Sequence, residues 1–167
     1  LRVELLLRQN PSVDQILQAG WYLLELINEI LDLALIESGK LSLSQEAISL
    51  TEVMHECQAM IEPQAHKRGI RMNFPAFPVT YFIKADRTRV KQILINLLSN
   101  AIKYNNVDGS VIVDCSVSVP GRVRVGVRDT GQGLGPDKLA QLFQPFNRLG
   151  QETSVEEGTG VGLVVCK

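Results

Sequence analysis

Leu17, Leu24 and Leu31 stand seven residues apart, and Gly20, Ile27 and Ala34 repeat three residues behind them. Two rows at that spacing form an a/d seam, which leaves one face of a helix in need of a partner. Ile16, Leu23 and Ile30 run directly beside the seam, and Leu26 and Leu33 flank it. An apolar arc this broad suits a four-helix bundle better than a two-stranded coil, or else one core helix of a globular domain. The spacing predicts a helix over residues 12–38, with Asn10-Pro11-Ser12 supplying a turn and N-cap and Gly39 stopping it. Residues 1–9 are then expected to be the end of a preceding helix returning antiparallel.

At 167 residues the chain is sized for one domain, or a small domain with an appendage. Its 17 Lys and Arg against 18 Asp and Glu disfavour a basic nucleic-acid binder and a polybasic membrane-surface module. The longest apolar stretch, residues 21–36, is broken by Glu25, Asn28, Glu29 and Asp32, so no bilayer-spanning run is expected. Cys57, Cys115 and Cys166 are odd in number and far apart, a pattern of free thiols in a reducing compartment. The chain opens Leu1-Arg2-Val3 without Met and closes on an apolar run that reads as a helix just beginning. Both ends are expected to be cuts within a longer protein.

After Gly39 the pattern alternates through Leu41, Leu43, Ala47, Ile48 and Leu50, a short strand-like connector. Thr51 is expected to cap a helix carrying Val53, Met54, Cys57, Met60 and Ile61, with Pro63 kinking or restarting it before Gly69. Residues 70–74 and 81–84 read as strands around a Pro-rich turn. Asp86 caps the strongest helix, with Val90, Ile93, Leu94, Leu97, Leu98, Ala101 and Ile102 on one broad face. Residues 111–119 and 123–127 alternate around Pro120-Gly121, which predicts a hairpin. A Gly-rich turn follows at 129–135, then a short helix over 138–146 and a polar, mobile stretch over 147–160. Helices followed by mixed elements predict a bundle piece and then an α+β or α/β sandwich.

Four short elements carry chemistry. Asn96 and Asn100 lie four apart on one helix face, with Lys103 and Tyr104 on the next turn. An amide oxygen is a hard, neutral ligand for Mg²⁺, and a nearby Lys can meet the phosphates that Mg²⁺ bridges; otherwise the two amides simply bond within a core helix. Asp129-Thr130-Gly131-Gln132-Gly133-Leu134 follows a Val-rich strand. There a carboxylate can accept from an exocyclic amine while the glycines let a flat ring approach, although most such strings are only tight turns. Phe143 and Phe146, three apart, taken alone suggest core packing. Gly158-Thr159-Gly160-Val161-Gly162-Leu163 opens into an apolar segment, where backbone N–H groups can meet a phosphate tail.

In this order, the elements resemble the N, G1, F and G2 boxes of sensor histidine kinases. The wording is close over Asp86-x-x-Arg89-x-x-Gln92-Ile93-Leu94-x-Asn96-Leu97-Leu98-x-Asn100-Ala101-x-Lys103-Tyr104. Leu24-x-Leu26-Ile27-Asn28-x-Ile30-Leu31-Asp32-Leu33-Ala34, closing with Ile36-Glu37-x-Gly39-Lys40-Leu41, looks like the second helix of that family's dimerisation and phosphotransfer hairpin. The resemblance covers residues 13–167. It implies an α+β fold: a two-layer, Bergerat-type (GHKL) ATP-binding sandwich over 43–167, preceded over 1–42 by part of a dimerisation hairpin.

By the same resemblance, Asn100 is the Mg²⁺-coordinating Asn, Asn96 the companion amide, and Lys103 and Tyr104 the phosphate-side contacts. Asp129 matches the carboxylate that reads the adenine amine, with Gly131 and Gly133 shaping that wall. Residues 147–157 would be the ATP lid. Gly158, Gly160 and Gly162, within the run that includes Thr159 and Leu163, would hinge the lid and approach the phosphates. Arg148 either reaches the γ-phosphate from the lid or stays solvated. Related ATPases carry a Glu where Asn96 stands. An Asn cannot activate water as a base, so position 96 favours transfer of the γ-phosphoryl to an acceptor over hydrolysis. The implied acceptor is a histidine and then a response-regulator aspartate, within a homodimer. The implied location is cytoplasmic, with any membrane anchor in the parent.

Two departures stand out. The family's acceptor motif, a His followed by Glu and a later Pro, is absent. His55 and His66 fall in the nucleotide-domain half, and both read as ordinary exposed helix residues. The family's domain also continues past the last glycine loop with a helix and strands. These 167 residues are therefore expected not to phosphorylate themselves. A nucleotide-binding pseudokinase acting through protein contacts is the alternative.

Overall fold

The computed structural model describes residues 11–74, 81–148 and 159–166. Helix α1 (Pro11–Glu37) is the heptad segment, and its stop is as expected: Gly39 takes φ +63° while Lys40 N–H donates to the Leu35 carbonyl at 3.1 Å. The described part of the seam is left bare. Ile16 is 70% and Trp21 69% exposed, and Leu17, Leu24, Ile27 and Leu31 are exposed too, while Leu33 on the other side is buried. The antiparallel helix expected over 1–9 lies outside the described residues. No described helix is long and apolar enough to cross a membrane.

Strand β1 (Glu46–Ser49) leads into α2 (Leu50–Lys67), then β2 (Arg71–Asn73), β3 (Phe82–Ala85), α3 (Arg87–Lys103), β4 (Ser110–Val119), β5 (Arg122–Asp129) and two one-turn helices, α4 (Pro136–Leu139) and α5 (Gly162–Val165). β1 pairs antiparallel with β3. β2 runs parallel to β4, and β4 pairs antiparallel with β5 through the expected turn, where Gly121 takes φ +77°. On β4, Val111 and Val113 point inward and Asp114 outward. They meet Leu94, Leu98, Ala101 and Ile102 of α3 and Val53, Met54, Cys57 and Ile61 of α2 in one core. The layers are thus sheet on helices, an α/β sandwich. The three cysteines are free thiols.

Three local expectations are corrected. The cap of α2 is Ser49, not Thr51: Ser49 is extended and its hydroxyl accepts from Glu52 N–H at 3.3 Å, while Leu50 N–H is taken by the Tyr81 carbonyl. Pro63 does not restart α2, which runs through it to Lys67, with Ile61 and Ala65, buried on either side of it, holding the helix to the core. The helix expected over 138–146 shrinks to Pro136–Leu139 and irregular turns. A residue before proline disfavours the helical region, and Phe146 takes φ +61°. The Pro-rich turn at 75–80 lies outside the described residues.

α2 and α3 are stapled by charge. Arg87 donates to both Glu56 oxygens at 2.6 and 3.1 Å, and Lys91 adds a third bond at 3.1 Å. Together they hold the Glu56 carboxyl down to about 2, from an ordinary 4.5, with the Arg87 bonds contributing most. A lowered carboxylate pKa stabilises the fold above its unfolded value, and that stabilisation fades as pH falls through the folded one. Glu56→Gln is therefore expected to lower the melting temperature slightly at pH 7, water screening this exposed pair. Thermal unfolding from pH 7 to 3 should show the gap to the parent protein closing below about 4.5. A gap constant across that range would discard the ion-pair account.

Candidate functional site

α3 carries a polar stripe on its flank away from the core. Arg89, Gln92, Asn96, Asn100 and Lys103 follow at intervals of three and four, all half-buried. Asp86 starts the helix, accepting from Arg89 N–H at 3.1 Å with one oxygen and from Ser44 N–H at 3.0 Å with the other. At the first turns the stripe meets α1. Arg89 donates to Asp32 at 2.7 Å, Gln92 donates to the other Asp32 oxygen at 2.8 Å, and Arg89 also donates to Gln92. Burial alone would push the Asp32 carboxyl up, but these two donors outweigh it and hold it low. A cleft of about 760 Å³ opens beside this junction, lined by Asn28, Asp32, Ser44 and Arg89, and none of the site residues expected from the sequence lines it.

At mid-helix, Asn96 Nδ2 donates to the Gly162 carbonyl at 3.2 Å and approaches Cys166 Sγ at 3.7 Å. The Cys166 thiol in turn donates to the same Gly162 carbonyl at 3.1 Å, and burial pushes its pKa up. The glycine run, distant in sequence, is thereby seated on the N-box face. Val161 beneath it is fully buried, and Leu163 is half-buried in α5. Gly160 takes φ +73°, and a Cβ there would lie 3.0–3.2 Å from the backbone of Phe146 and Asn147. The two flanks of residues 149–158 are thus held side by side. Thr159 accepts from Val161 N–H at 3.3 Å. Gly158 and most of the expected lid lie outside the described residues; Arg148 is half-buried at the lid's first edge.

At the far end of α3, Lys103 Nζ sits 5.0 Å over the Tyr104 ring. The Tyr104 carbonyl abuts the turn after β5, so closely that a Cβ on Gly131 would fall 2.4 Å from it. Asp129 Oδ1 accepts from Gly131 N–H at 2.8 Å, and Gly133 takes φ +69°. The N, G1 and G2 segments therefore converge on one helix. The F segment flanks them with Phe143 and Phe146 exposed, which removes the core-packing reading of that pair. Sequence reasoning missed Asn105 and Thr130, whose side chains bond each other at 2.8 Å across this end of the site. It also missed the bond that Arg89 donates to Asp32. The sole sequence signal for the first pair is the abundance of short polar residues around both turns.

Asn96 and Tyr104 are eight residues apart, about 12 Å along a helix axis. Among the described residues, no cluster of three His, Cys, Asp or Glu side chains exists to cage a metal. A single amide such as Asn100 fits Mg²⁺, which takes few protein ligands and completes its octahedron with phosphates and water.

Residues 85–167 match the family model described as Histidine kinase-, DNA gyrase B-, and HSP90-like ATPase. An uncharacterized sensor-like histidine kinase of Rhizobium meliloti is 38% identical over 161 residues, 96% of this chain and 30% of that protein. ShkA full-length, solved in complex with AMPPNP, superposes with a TM-score of 0.78 at 30% identity, over 95% of this chain and 33% of that one. The catalytic domain of histidine kinase ThkA gives 0.64 at 30% identity, over 74% of this chain and 77% of that one. ThkA in complex with the response regulator protein TrrA gives 0.63 at 25% identity, over 83% and 42%. The chain spans less than a third of the curated relatives it matches first.

Proposed function

The chain belongs to the sensor histidine kinases with their GHKL-type ATP-binding domain, and from that premise we propose that it binds Mg·ATP and presents the γ-phosphoryl to a histidine. The observation that carries this is the seating of Gly162 on Asn96 at the middle of α3 and of Gly131 on Tyr104 at its C-terminal end. An extended nucleoside triphosphate bridges that span. Asp129 reads the base amine, with Gly131 and Gly133 giving the ring room. Asn100 holds the metal, Lys103 and Tyr104 meet the phosphates, and Arg148 and the 158–163 segment close over them. When bound, Mg²⁺ neutralises charge on the phosphate oxygens. Asn96, whose amine is already bonded to Gly162, offers no basic group to activate water, which leaves the phosphoryl for another acceptor.

In this reading residues 1–42 belong to the dimerisation hairpin and 43–167 to the nucleotide domain. Neither His55 nor His66 is the acceptor: both are exposed on α2, within the nucleotide half. The bare heptad face of α1 supports a homodimer in which two-fold pairing buries it. The likeness to ThkA, solved with a response regulator, supports a receiver aspartate as the next acceptor. Calorimetric titration of ATP into the chain, once with Mg²⁺ and once with EDTA, tests the core of the proposal. Binding that is much tighter with Mg²⁺ than with EDTA is expected; absence of binding in both would overturn it.

A further inference from the structure

A group of side-chain hydrogen bonds joins the end of α3 to the Asp129 turn, and no role above uses it. Asn105 Nδ2 donates to the Ala101 carbonyl at 2.9 Å and the Ser110 carbonyl at 3.1 Å. Its Oδ1 accepts from Asn106 N–H at 2.9 Å and from the Thr130 hydroxyl at 2.8 Å. Both amide hydrogens and both lone pairs of Asn105 are thereby used. Thr130 is equally engaged. Its Oγ1 accepts from Ser110 N–H at 2.9 Å, its own N–H donates to the Ser110 carbonyl at 3.2 Å, and its carbonyl accepts from Asn106 Nδ2. Gly109 leaves the space for this: a Cβ there would stand 2.3 Å from Asn105 Oδ1 and 2.7 Å from Thr130 Oγ1.

We infer that Asn105, acting through Thr130, is a positioning residue that sets how well the site tells adenine from other purines. The inference rests on the nucleotide-binding role given to Asp129 above. Thr130 lies between Asp129, which reads the amine, and Gly131, which fixes Asp129 Oδ1. Any turn of the Thr130 peptide re-aims the other carboxylate oxygen, Oδ2, which is left to meet the base. Bonding Thr130 to Asn105 ties that aim to the helix that carries Asn96 and Asn100, so base and phosphates are read from one rigid frame. Each bond alone is modest at this exposed position, but a closed ring of donors and acceptors holds its members cooperatively.

The test compares ATP with inosine triphosphate, in which a carbonyl oxygen replaces the amine, by Mg²⁺-containing titration of the chain and its variants. The parent should prefer ATP by about a hundredfold, since the carbonyl meets a carboxylate it cannot bond. Thr130→Val keeps the shape and removes the hydroxyl at an exposed position, so folding is retained. It and Asn105→Ala are expected to shrink the preference about tenfold, by weakening ATP while leaving inosine triphosphate nearly unchanged. Thr130→Ser, which restores the hydroxyl, should recover the parent ratio. A merely structural role would weaken both nucleotides together and leave the ratio intact, and that result in both variants would overturn the inference. Failure of the parent to bind either nucleotide would instead remove the nucleotide-binding reading, and this inference with it.

Discussion

Asn100→Ala is expected to weaken ATP binding about a hundredfold in Mg²⁺, equivalent to about 3 kcal/mol, and to leave binding in EDTA unchanged. The reasoning starts from position. Asn100 lies one turn beyond Asn96 on the polar flank of α3, half-buried, where its amide oxygen is a neutral, hard donor beside the proposed phosphate end of the site. With no carboxylate cage in reach among the described residues, that oxygen would carry the protein's share of the proposed metal shell. Removing it costs the metal-dependent part of affinity only, because Asp129 and the glycine walls are untouched. Calorimetry in both buffers reads the difference directly. Equal loss in Mg²⁺ and EDTA would show that Asn100 supports the fold rather than the ion.

The second large effect is expected at Gly131. An alanine there places its Cβ 2.4 Å from the Tyr104 carbonyl and 2.8 Å from Asp129 Oδ1. Neither neighbour is a flexible chain end: one is backbone at the close of α3, the other a carboxylate already bonded to Gly131 N–H. Something must shift, at a cost of about 1–3 kcal/mol in stability for an overpacked site. The displaced carboxylate would lose its aim as well, so ATP affinity should fall more than tenfold beyond what unfolding explains. Gly135→Ala is the control. Nothing lies within 4 Å of a Cβ there, and both melting temperature and affinity should stay near the parent values. If thermal unfolding and titration rank the two variants the other way, the close packing of α3 on the Asp129 turn is not what shapes the site.

Much of this architecture was legible because it is written locally. The heptads of α1, the Asp86 cap, the Val alternation around Pro120-Gly121 and the spacing of Asn96 and Asn100 each follow from one element's own period. What escaped reading depends on partners far along the chain. Ser49 outcompetes Thr51 as a cap because Tyr81, more than thirty residues away, fixes where α2 begins. Pro63 sits inside an unbroken helix because Ile61 and Ala65 are pinned by a core that no local pattern reveals. The helix expected over 138–146 had the right apolar spacing, yet Pro145 and the left-handed Phe146 outweighed it. Within the site, the box residues were readable by type and order. Asn105 and Thr130 were not, since a pair of short polar side chains announces nothing until a turn and a helix end are brought face to face.

The parallel pairing of β2 with β4 has a consequence for how the molecule is assembled and taken apart. Arg71 faces Ser110 across that ladder, so the whole of α3 lies in the stretch of chain between two strands that must zip together. Closing so long a segment is slow, because its entropy is lost before the strand bonds repay it. Once closed, the segment behaves as a tether with both ends anchored in the same sheet. The helix on which the proposed phosphate and base contacts converge is held between those anchors by its own buried face, Leu94, Leu98, Ala101 and Ile102, which shares a core with Val111 and Val113 of β4. Its inward amides are therefore expected to be among the slowest in the protein to trade their hydrogens with solvent.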